Sequence, residues 1–369
     1  MKISKINLVN FRNYSNESIQ FEDGMNIFVG NNAQGKTNIL EGITLLALTK
    51  SHRIGVSPNI IQFGKDKCKI SGVVKKDKVV SKLEVEIGEE YKKLRVNKNE
   101  IKKVADYISY LNIIIFTPDD LEIVKGSPNV RRNLLNIQLS QLSKDYLKYY
   151  NEYNKLLKTR NEYLKILFNN NIADTNYLDV ITDKLIEKAI FIYQKRKEYI
   201  DLINIHIDQN YSEISGDKGI VVKYVPNVSF DNYEYETIRK SLKHTFKKNY
   251  MKELNYGMTI YGPHRDDFYF EYNGYDLKYF GSQGQQKLAI LSFKISEIPI
   301  FNNFCNTKPV LLLDDIFSEL DIKKRNRLLK MIDDDIQCII TTTDLKNISK
   351  KCLENACVFH VENGIVERR

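Results

Sequence analysis

Residues 30–37 read Gly30-Asn31-Asn32-Ala33-Gln34-Gly35-Lys36-Thr37. A glycine, four residues and then Gly-Lys-Thr is the spacing of a phosphate-binding loop. Glycines 30 and 35 let the backbone curl, so that consecutive N–H groups and the positive end of a following helix face phosphate oxygens. Lys36 would reach the β- and γ-phosphates, and the Thr37 hydroxyl would hold Mg²⁺. The flanks suit the motif: Met25-Asn26-Ile27-Phe28-Val29 reads as a buried strand leading in, and Asn38-Ile39-Leu40-Glu41 as a helix leading out. Far downstream, Pro309-Val310-Leu311-Leu312-Leu313 is an apolar run ending in Asp314 and Asp315, as a buried parallel strand would be. Asp314 then falls where a Mg²⁺-supporting aspartate sits beside a phosphate loop, and Asp315 is placed to orient or deprotonate an attacking water. The bland alternatives are a chance glycine turn and an acidic strand cap. Each is weakened by the presence of the other half of the site.

A third element, Tyr279-Phe280-Gly281-Ser282-Gln283-Gly284-Gln285-Gln286-Lys287, precedes an apolar helix pattern over 288–297. Ser-x-Gly at a helix start offers a hydroxyl, a close-approach glycine and free N–H groups, which together suit an anion. One chain has no use for two phosphate cradles on one nucleotide. In ABC-type ATPases the second cradle closes over the γ-phosphate of the opposite subunit, which would make Ser282, Gln283 and Gly284 a nucleotide contact across a dimer. The competing reading is an ordinary helix cap. Ser318-Glu319-Leu320-Asp321 matches the loop that crosses the interface in ABC-type heads. Ile336–Ile340 reads as another buried strand ending in Thr341-Thr342-Thr343-Asp344, where most such heads carry a switch histidine.

The elements that must carry these motifs occupy 369 residues, a length that suggests about two domains. Hydrophobic residues make up 42% and charged residues 28%, an ordinary mix for a water-soluble chain. No apolar stretch approaches the roughly 20 residues of a membrane span. The amino terminus lacks the continuous apolar segment of a signal peptide. A cytoplasmic protein without a membrane partner is expected. The five cysteines (68, 305, 338, 352 and 357) have no CxxC spacing, and Cys352, Cys357 and His360 fit no common zinc pattern. A net charge of +9 suggests a polyanionic partner. The chain is also rich in Asn, Ile and Tyr, as AT-biased coding would make it, so charge carries weight only where it clusters on one face.

Residues 1–115 are strand-rich, with candidates at 2–9, 25–29, 68–75, 79–87, 91–96 and 111–116. The period then changes. Leu135, Leu139, Leu142, Tyr146, Tyr149, Tyr153 and Leu156 recur at spacings of four and three, and Tyr163 and Leu167 resume the stripe. A second stripe runs through Leu178, Ile181, Leu185, Ala189, Ile192, Tyr199 and Ile203. With the polar segment 169–174 between them, the pattern predicts an antiparallel helical hairpin whose arms are each on the order of 50 Å long. The tyrosines keep the apolar spacing and are expected in the core. A strand and then a helix over 237–250 follow, and strands return at 258–261 and 268–270. The expected division is 1–120 for the first part of a nucleotide-binding head, 121–255 for an inserted helical arm, and 256–369 for the rest of the head.

With these residues in view the chain resembles the RecF family of bacterial recombination mediators, which are related to SMC-type heads. The resemblance runs end to end. It includes Asn10-Phe11-Arg12-Asn13-Tyr14, Gly262-Pro263-His264-Arg265-Asp266-Asp267, and Pro118-Asp119-Asp120-Leu121 through Gly126-Ser127-Pro128 to Arg131-Arg132. Leu134 stands where an aromatic is usual and Asn136 where an aspartate is usual. The resemblance implies an α/β fold: an ABC/SMC-type P-loop ATPase head of two lobes with mixed sheets, carrying an inserted helical arm. It also implies ATP and Mg²⁺ as cofactors, Arg12 beside the nucleotide, and Lys36, Asp315 and Ser282 as the hydrolytic set. A slow, DNA-stimulated ATPase is expected, dimerising on ATP and binding double-stranded, gapped or junction DNA. RecR and RecO are the implied partners, and recombinase loading at gaps, fork maintenance and SOS induction the implied roles.

Rival readings make different demands. An ABC transporter subunit would normally have a short helical subdomain and the switch histidine. A P-loop GTPase would read guanine with NKxD, but Asn97-Lys98-Asn99-Glu100 ends in Glu and lies on the wrong side of the acidic strand. A non-hydrolysing DNA clamp is the remaining alternative, because Asp315 replaces a longer glutamate.

Overall fold

The computed structural model describes residues 1–51, 60–170, 175–316, 320–332, 335–345 and 353–369. Along the chain the first strands are β1 (Lys2–Phe11), β2 (Tyr14–Gln20), β3 (Met25–Val29), β4 (Lys67–Lys76), β5 (Val79–Gly88), β6 (Lys92–Val96), β7 (Asn99–Glu100) and β8 (Ile113–Phe116). The later ones are β9 (Ile220–Val225), β10 (Asp267–Tyr272), β11 (Tyr275–Asp276), β12 (Val310–Asp314), β13 (Cys338–Thr342), β14 (Ala356–Glu362) and β15 (Ile365–Arg368). The helices are α1 (Lys36–Leu48), α2 (Val104–Tyr107), α3 (Glu122–Lys125), α4 (Pro128–Leu142), α5 (Lys144–Asn170) and α6 (Asn176–Ser215). They continue with α7 (Tyr235–Lys248), α8 (Tyr250–Tyr256), α9 (Leu277–Phe280), α10 (Gln283–Cys305) and α11 (Ile322–Met331).

The chain forms two compact units. The first comprises residues 1–121, 209–218 and 287–369. It holds an antiparallel sheet in the order β2-β1-β4-β5-β6-β7 and a mixed sheet in the order β15-β14-β3-β13-β12-β8. In the mixed sheet β14, β3, β13, β12 and β8 run parallel, and β15 closes one edge as a hairpin. Helix α1 contacts strands of both sheets and is buried from Ile39 to Leu48, as a helix apolar on every side must be. That sandwiching fixes the direction of its amino terminus, on which the phosphate loop depends. Strand β2 escaped the sequence reading because Tyr14-Ser15-Asn16-Glu17-Ser18-Ile19-Gln20 is polar, as suits an edge strand with one wet face.

The second unit comprises residues 122–208 and 219–286. Residues 256–286, grouped with the head in the sequence reading, pack here because β10 pairs along its length with β9. The first helical stripe is broken: α4 ends before Ser143, whose extended backbone and hydroxyl start α5 by accepting the Tyr146 N–H. Helices α5 and α6 have 27 and 40 residues, about 40 and 60 Å at 1.5 Å per residue, so the arms are unequal where equal ones were expected. The segment expected at the hairpin tip, 171–174, lies outside the described residues. Tyr146, Tyr153 and Tyr199 are buried, as their spacing predicts, whereas Tyr149 and Tyr163 on the same stripe are half-buried.

Residues 258–261 are not a strand, contrary to the alternation. Two of their N–H groups go to side chains instead: Thr259 N–H to Asn161 Oδ1 and Ile260 N–H to Glu253 Oε1, at 2.7 and 2.8 Å. Glu253 is held by Arg160 at 2.7 Å, with both side chains buried. The neighbouring Gly-Pro-His-Arg-Asp-Asp motif is a second buried knot. Arg196 pairs with Asp266 at 2.9 Å and donates to Asn136 Oδ1 at 3.0 Å, while Tyr224 and the Asn227 N–H also donate to Asp266. Arg131 grips Asp267 bidentately at 2.6 and 2.8 Å. Removing one partner of such a pair costs about 3–5 kcal/mol, because the other charge is left buried alone.

Candidate functional site

The site in the first unit is built at the carboxyl ends of four adjacent parallel strands, β3, β13, β12 and β8, the edge at which open parallel sheets bind ligands. Strand β3 runs into Gly30, β12 ends at Asp314, β13 carries Thr341, and β8 delivers Thr117. The cavity between them is about 380 Å³. It is lined by Asn32, Ala33, Gly35, Lys36 and Thr37 of the loop, and by Thr117, Asp119, Asp314, Asp315 and Thr341.

The loop needs its glycines. A Cβ on Gly30 would lie 2.3 Å from the Val361 carbonyl, and one on Gly35, where φ is +115°, would lie 2.5 Å from Asn13 Nδ2. Gly35 opens α1 without a side-chain cap, and no acidic residue occupies the first turn. The positive helix end is therefore left to an anion. Lys36, 7% exposed, donates to the carbonyls of Gly30 and Asn31 at 2.6 and 2.8 Å. Burial draws its pKa below the ordinary lysine value, and the carboxylates of Asp315 and Asp314 oppose that shift.

The two halves predicted from sequence meet directly. Thr37 Oγ1 donates to Asp314 Oδ1 at 2.9 Å across 277 residues of chain. Hydroxyl and carboxylate oxygens are the hard donors that Mg²⁺ takes, and phosphate fits the loop of N–H groups and ammonium beside them, so the residues suit Mg-ATP. Asp315 follows with a left-handed backbone, φ +46°. Gln34 braces the loop: its Oε1 accepts from Asn363 N–H at 2.7 Å and its carbonyl from Asn13 Nδ2 at 3.0 Å. Arg12 is not among the cavity-lining residues. Glu41 of α1 takes its guanidinium bidentately, at 3.0 and 2.7 Å.

Three lining residues were given no role at the nucleotide from sequence, although Asp119 stands in a motif of the family resemblance and Thr341 where a switch histidine is usual. Thr117 and Asp119 follow an apolar run that ends at Phe116, and such a run at a parallel-strand end is the signal that could have found them. The Thr117 backbone is held by Asp120, whose carboxylate accepts the Thr117 N–H at 2.7 Å and the buried Lys294 ammonium. Thr341 is the third.

The Ser-x-Gly element lies at the start of α10, in the second unit. Ser282 Oγ accepts the Gln285 N–H at 3.3 Å, and Gln285 Oε1 accepts the Ser282 N–H at 2.9 Å, a reciprocal cap. Ser282, Gln283 and Gly284 are exposed. A Cβ on Gly284 would meet nothing nearer than Ser282 Oγ at 3.9 Å. Packing within the chain does not require that glycine. Of the expected interface loop, Ser318 and Glu319 lie outside the described residues, and Asp321 caps α11 by accepting the Lys324 N–H at 2.9 Å.

The family model for the RecF/RecN/SMC N-terminal domain matches residues 2–367. A Listeria welshimeri protein described as DNA replication and repair protein RecF is 38% identical over 370 residues, covering all of both chains. A Halalkalibacterium halodurans protein of the same description is 37% identical over 371 residues, again covering all of both. The solved structure of the recombination mediator RecF with ATP, in the RecFOR pathway, superposes with a TM-score of 0.91 at 32% identity, covering 100% of this chain and 97% of that one. An Smc head bound to the winged-helix domain of ScpA superposes at 0.55 with 14% identity and shares the fold alone. Among the described residues no helix is long and apolar enough to cross a membrane.

Proposed function

Since this chain belongs to the RecF family, we propose that it is an ATP-switched DNA-binding protein of replication and recombinational repair. ATP binds at Gly30–Thr37, and the loop N–H groups and Lys36 take the phosphate oxygens. The observation that carries this reading is the Thr37–Asp314 hydrogen bond of 2.9 Å, which joins the phosphate loop to the acidic strand. Mg²⁺, held through Thr37 and Asp314, would supply charge neutralisation on the β- and γ-phosphates. Lys36 would exchange its two loop carbonyls for phosphate oxygens. Asp315 orients or deprotonates the attacking water. Arg12 acts at one remove, fixing α1 through Glu41.

Hydrolysis is completed by a second copy. Ser282, Gln283 and Gly284 are exposed at a helix start, and Gly284 has open space where a side chain would be. A backbone left bare in this way suits close approach by the γ-phosphate of a partner. The dimer binds duplex, gapped or junction DNA through its phosphates, acts with RecR and RecO, and helps load recombinase at gaps. Fork maintenance and SOS induction follow from that role.

ATP turnover measured with single-stranded, double-stranded and gapped DNA tests the proposal. Slow turnover raised by DNA, with affinity falling steeply as salt rises, is expected. Turnover indifferent to every DNA form would overturn it.

A further inference from the structure

We propose that Thr341 is a positioning residue for hydrolysis, its one hydroxyl setting both acidic residues at the end of β12. The inference rests on the reading of Asp314 as the Mg²⁺-supporting carboxylate. Thr341 is fully buried on β13, the strand beside β12 in the parallel sheet. Its Oγ1 donates to Asp314 Oδ1 at 2.6 Å and accepts the Asp315 N–H at 3.0 Å. Its carbonyl accepts the same Asp315 N–H at 3.2 Å.

Thr37 Oγ1 donates to the same Asp314 oxygen, at 2.9 Å. Two hydroxyls, one from the first turn of α1 and one from β13, therefore converge on Oδ1 and fix the plane of the carboxylate. Hydrogen bonds to a charged acceptor are about twice as strong as neutral ones, and the site is buried. At Asp315 the task is different. A non-glycine residue at φ +46° is strained, and such strain persists only where the surroundings over-determine it. The bifurcated anchor of its N–H on Thr341 provides that constraint and sets where the Asp315 carboxylate leaves the chain. Here a hydroxyl one strand away from the acidic pair acts through that pair and not on the phosphate.

The test compares Thr341→Val, Thr341→Ser and Asp314→Asn. Valine keeps the branched shape and suits a strand, while removing the hydroxyl. ATP affinity is measured by calorimetry in Mg²⁺ and in EDTA, and turnover is measured alongside. Binding in EDTA depends on the loop and Lys36 and reports that the site has folded; should valine disturb it, Thr341→Ala is read in the same way. Thr341→Val should keep the EDTA affinity, lose about tenfold of the Mg²⁺-dependent gain with a matching rise in KM, since slow chemistry makes KM follow affinity, and lower kcat by at least about tenfold, the scale expected for one charge-assisted hydrogen bond. Thr341→Ser should restore both. The inference is overturned if Thr341→Val keeps the Mg²⁺ gain and kcat while Asp314→Asn loses them, or if serine rescues nothing. If Asp314→Asn also keeps the Mg²⁺ gain, the metal reading itself fails, and the inference fails with it.

Discussion

Gly284→Ala separates a structural helix cap from a nucleotide contact across a dimer. Within one chain the added methyl meets only Ser282 Oγ, at 3.9 Å, so it creates no clash. A glycine in a helix costs about 0.5–1 kcal/mol relative to alanine, so the free monomer should be slightly stabilised. A cap-only role predicts nothing further. If a partner's γ-phosphate approaches that backbone, the methyl stands in its path, and overpacking of this kind costs about 1–3 kcal/mol at each contact. In a two-fold dimer the contact occurs twice, so dimerisation should weaken by about 2–6 kcal/mol, or about 30-fold to about 20,000-fold. Sedimentation velocity in Mg-ATP reads the dimer, thermal melting without nucleotide reads the monomer, and calorimetry reads ATP affinity. A melting temperature at or above the parent's, unchanged monomer affinity for ATP and a lost dimer are expected. An ATP dimer as tight as the parent's would refute the argument.

Lys36→Ala should abolish ATP binding and every ATP-dependent step, because the main point charge on the β/γ-phosphates is gone; parental affinity by calorimetry would show that the loop is not the site. Asp315→Asn should bind ATP normally but turn it over at least about tenfold more slowly, trapping a dimer visible by sedimentation. His264 donates from Nε2 to the Thr259 carbonyl and accepts from Tyr153 at Nδ1. Burial, ahead of the nearby arginines, holds its pKa down to about 4. An unfolded chain protonates that ring near pH 6.5, so the stabilisation present above pH 6.5 is lost as pH falls toward about 4. Denaturant unfolding across that range should lose this part of its slope in His264→Gln, and an identical slope would contradict the assignment.

The site was legible where its chemistry lies in contiguous residues. Gly30–Thr37 and Asp314-Asp315 each declare a role through type and spacing, and Thr37 meets Asp314 as the pair requires. Thr341, Thr117 and Asp119 were less visible because their places come from strand order, which no local pattern encodes. Helical stripes gave the arm's buried tyrosines but not the break at Ser143, where one extended residue interrupts an otherwise continuous period. The alternation at 258–261 misled for a different reason. Buried Glu253 and half-buried Asn161 take N–H groups a neighbouring strand would have taken, and Asn161 lies 98 residues away in the sequence. Of the motifs that carried the family resemblance, Arg131, Asp266 and Asp267 serve the folding of the second unit, where Arg131 pairs with Asp267 and Arg196 with Asp266.

The central claim is that one chain's phosphate loop is completed by the other chain's Ser282–Gly284, and mixing two inactive variants tests it. Lys36→Met removes the loop's charge, and Ser282→Arg places a bulky side chain on the second cradle. In the mixed dimer one site carries both lesions and the other carries neither. Neither variant alone should turn over ATP, Ser282→Arg alone should bind ATP as a monomer, and turnover should return on mixing. A mixture as inactive as its components, with Ser282→Arg forming a normal ATP dimer by itself, would contradict the account.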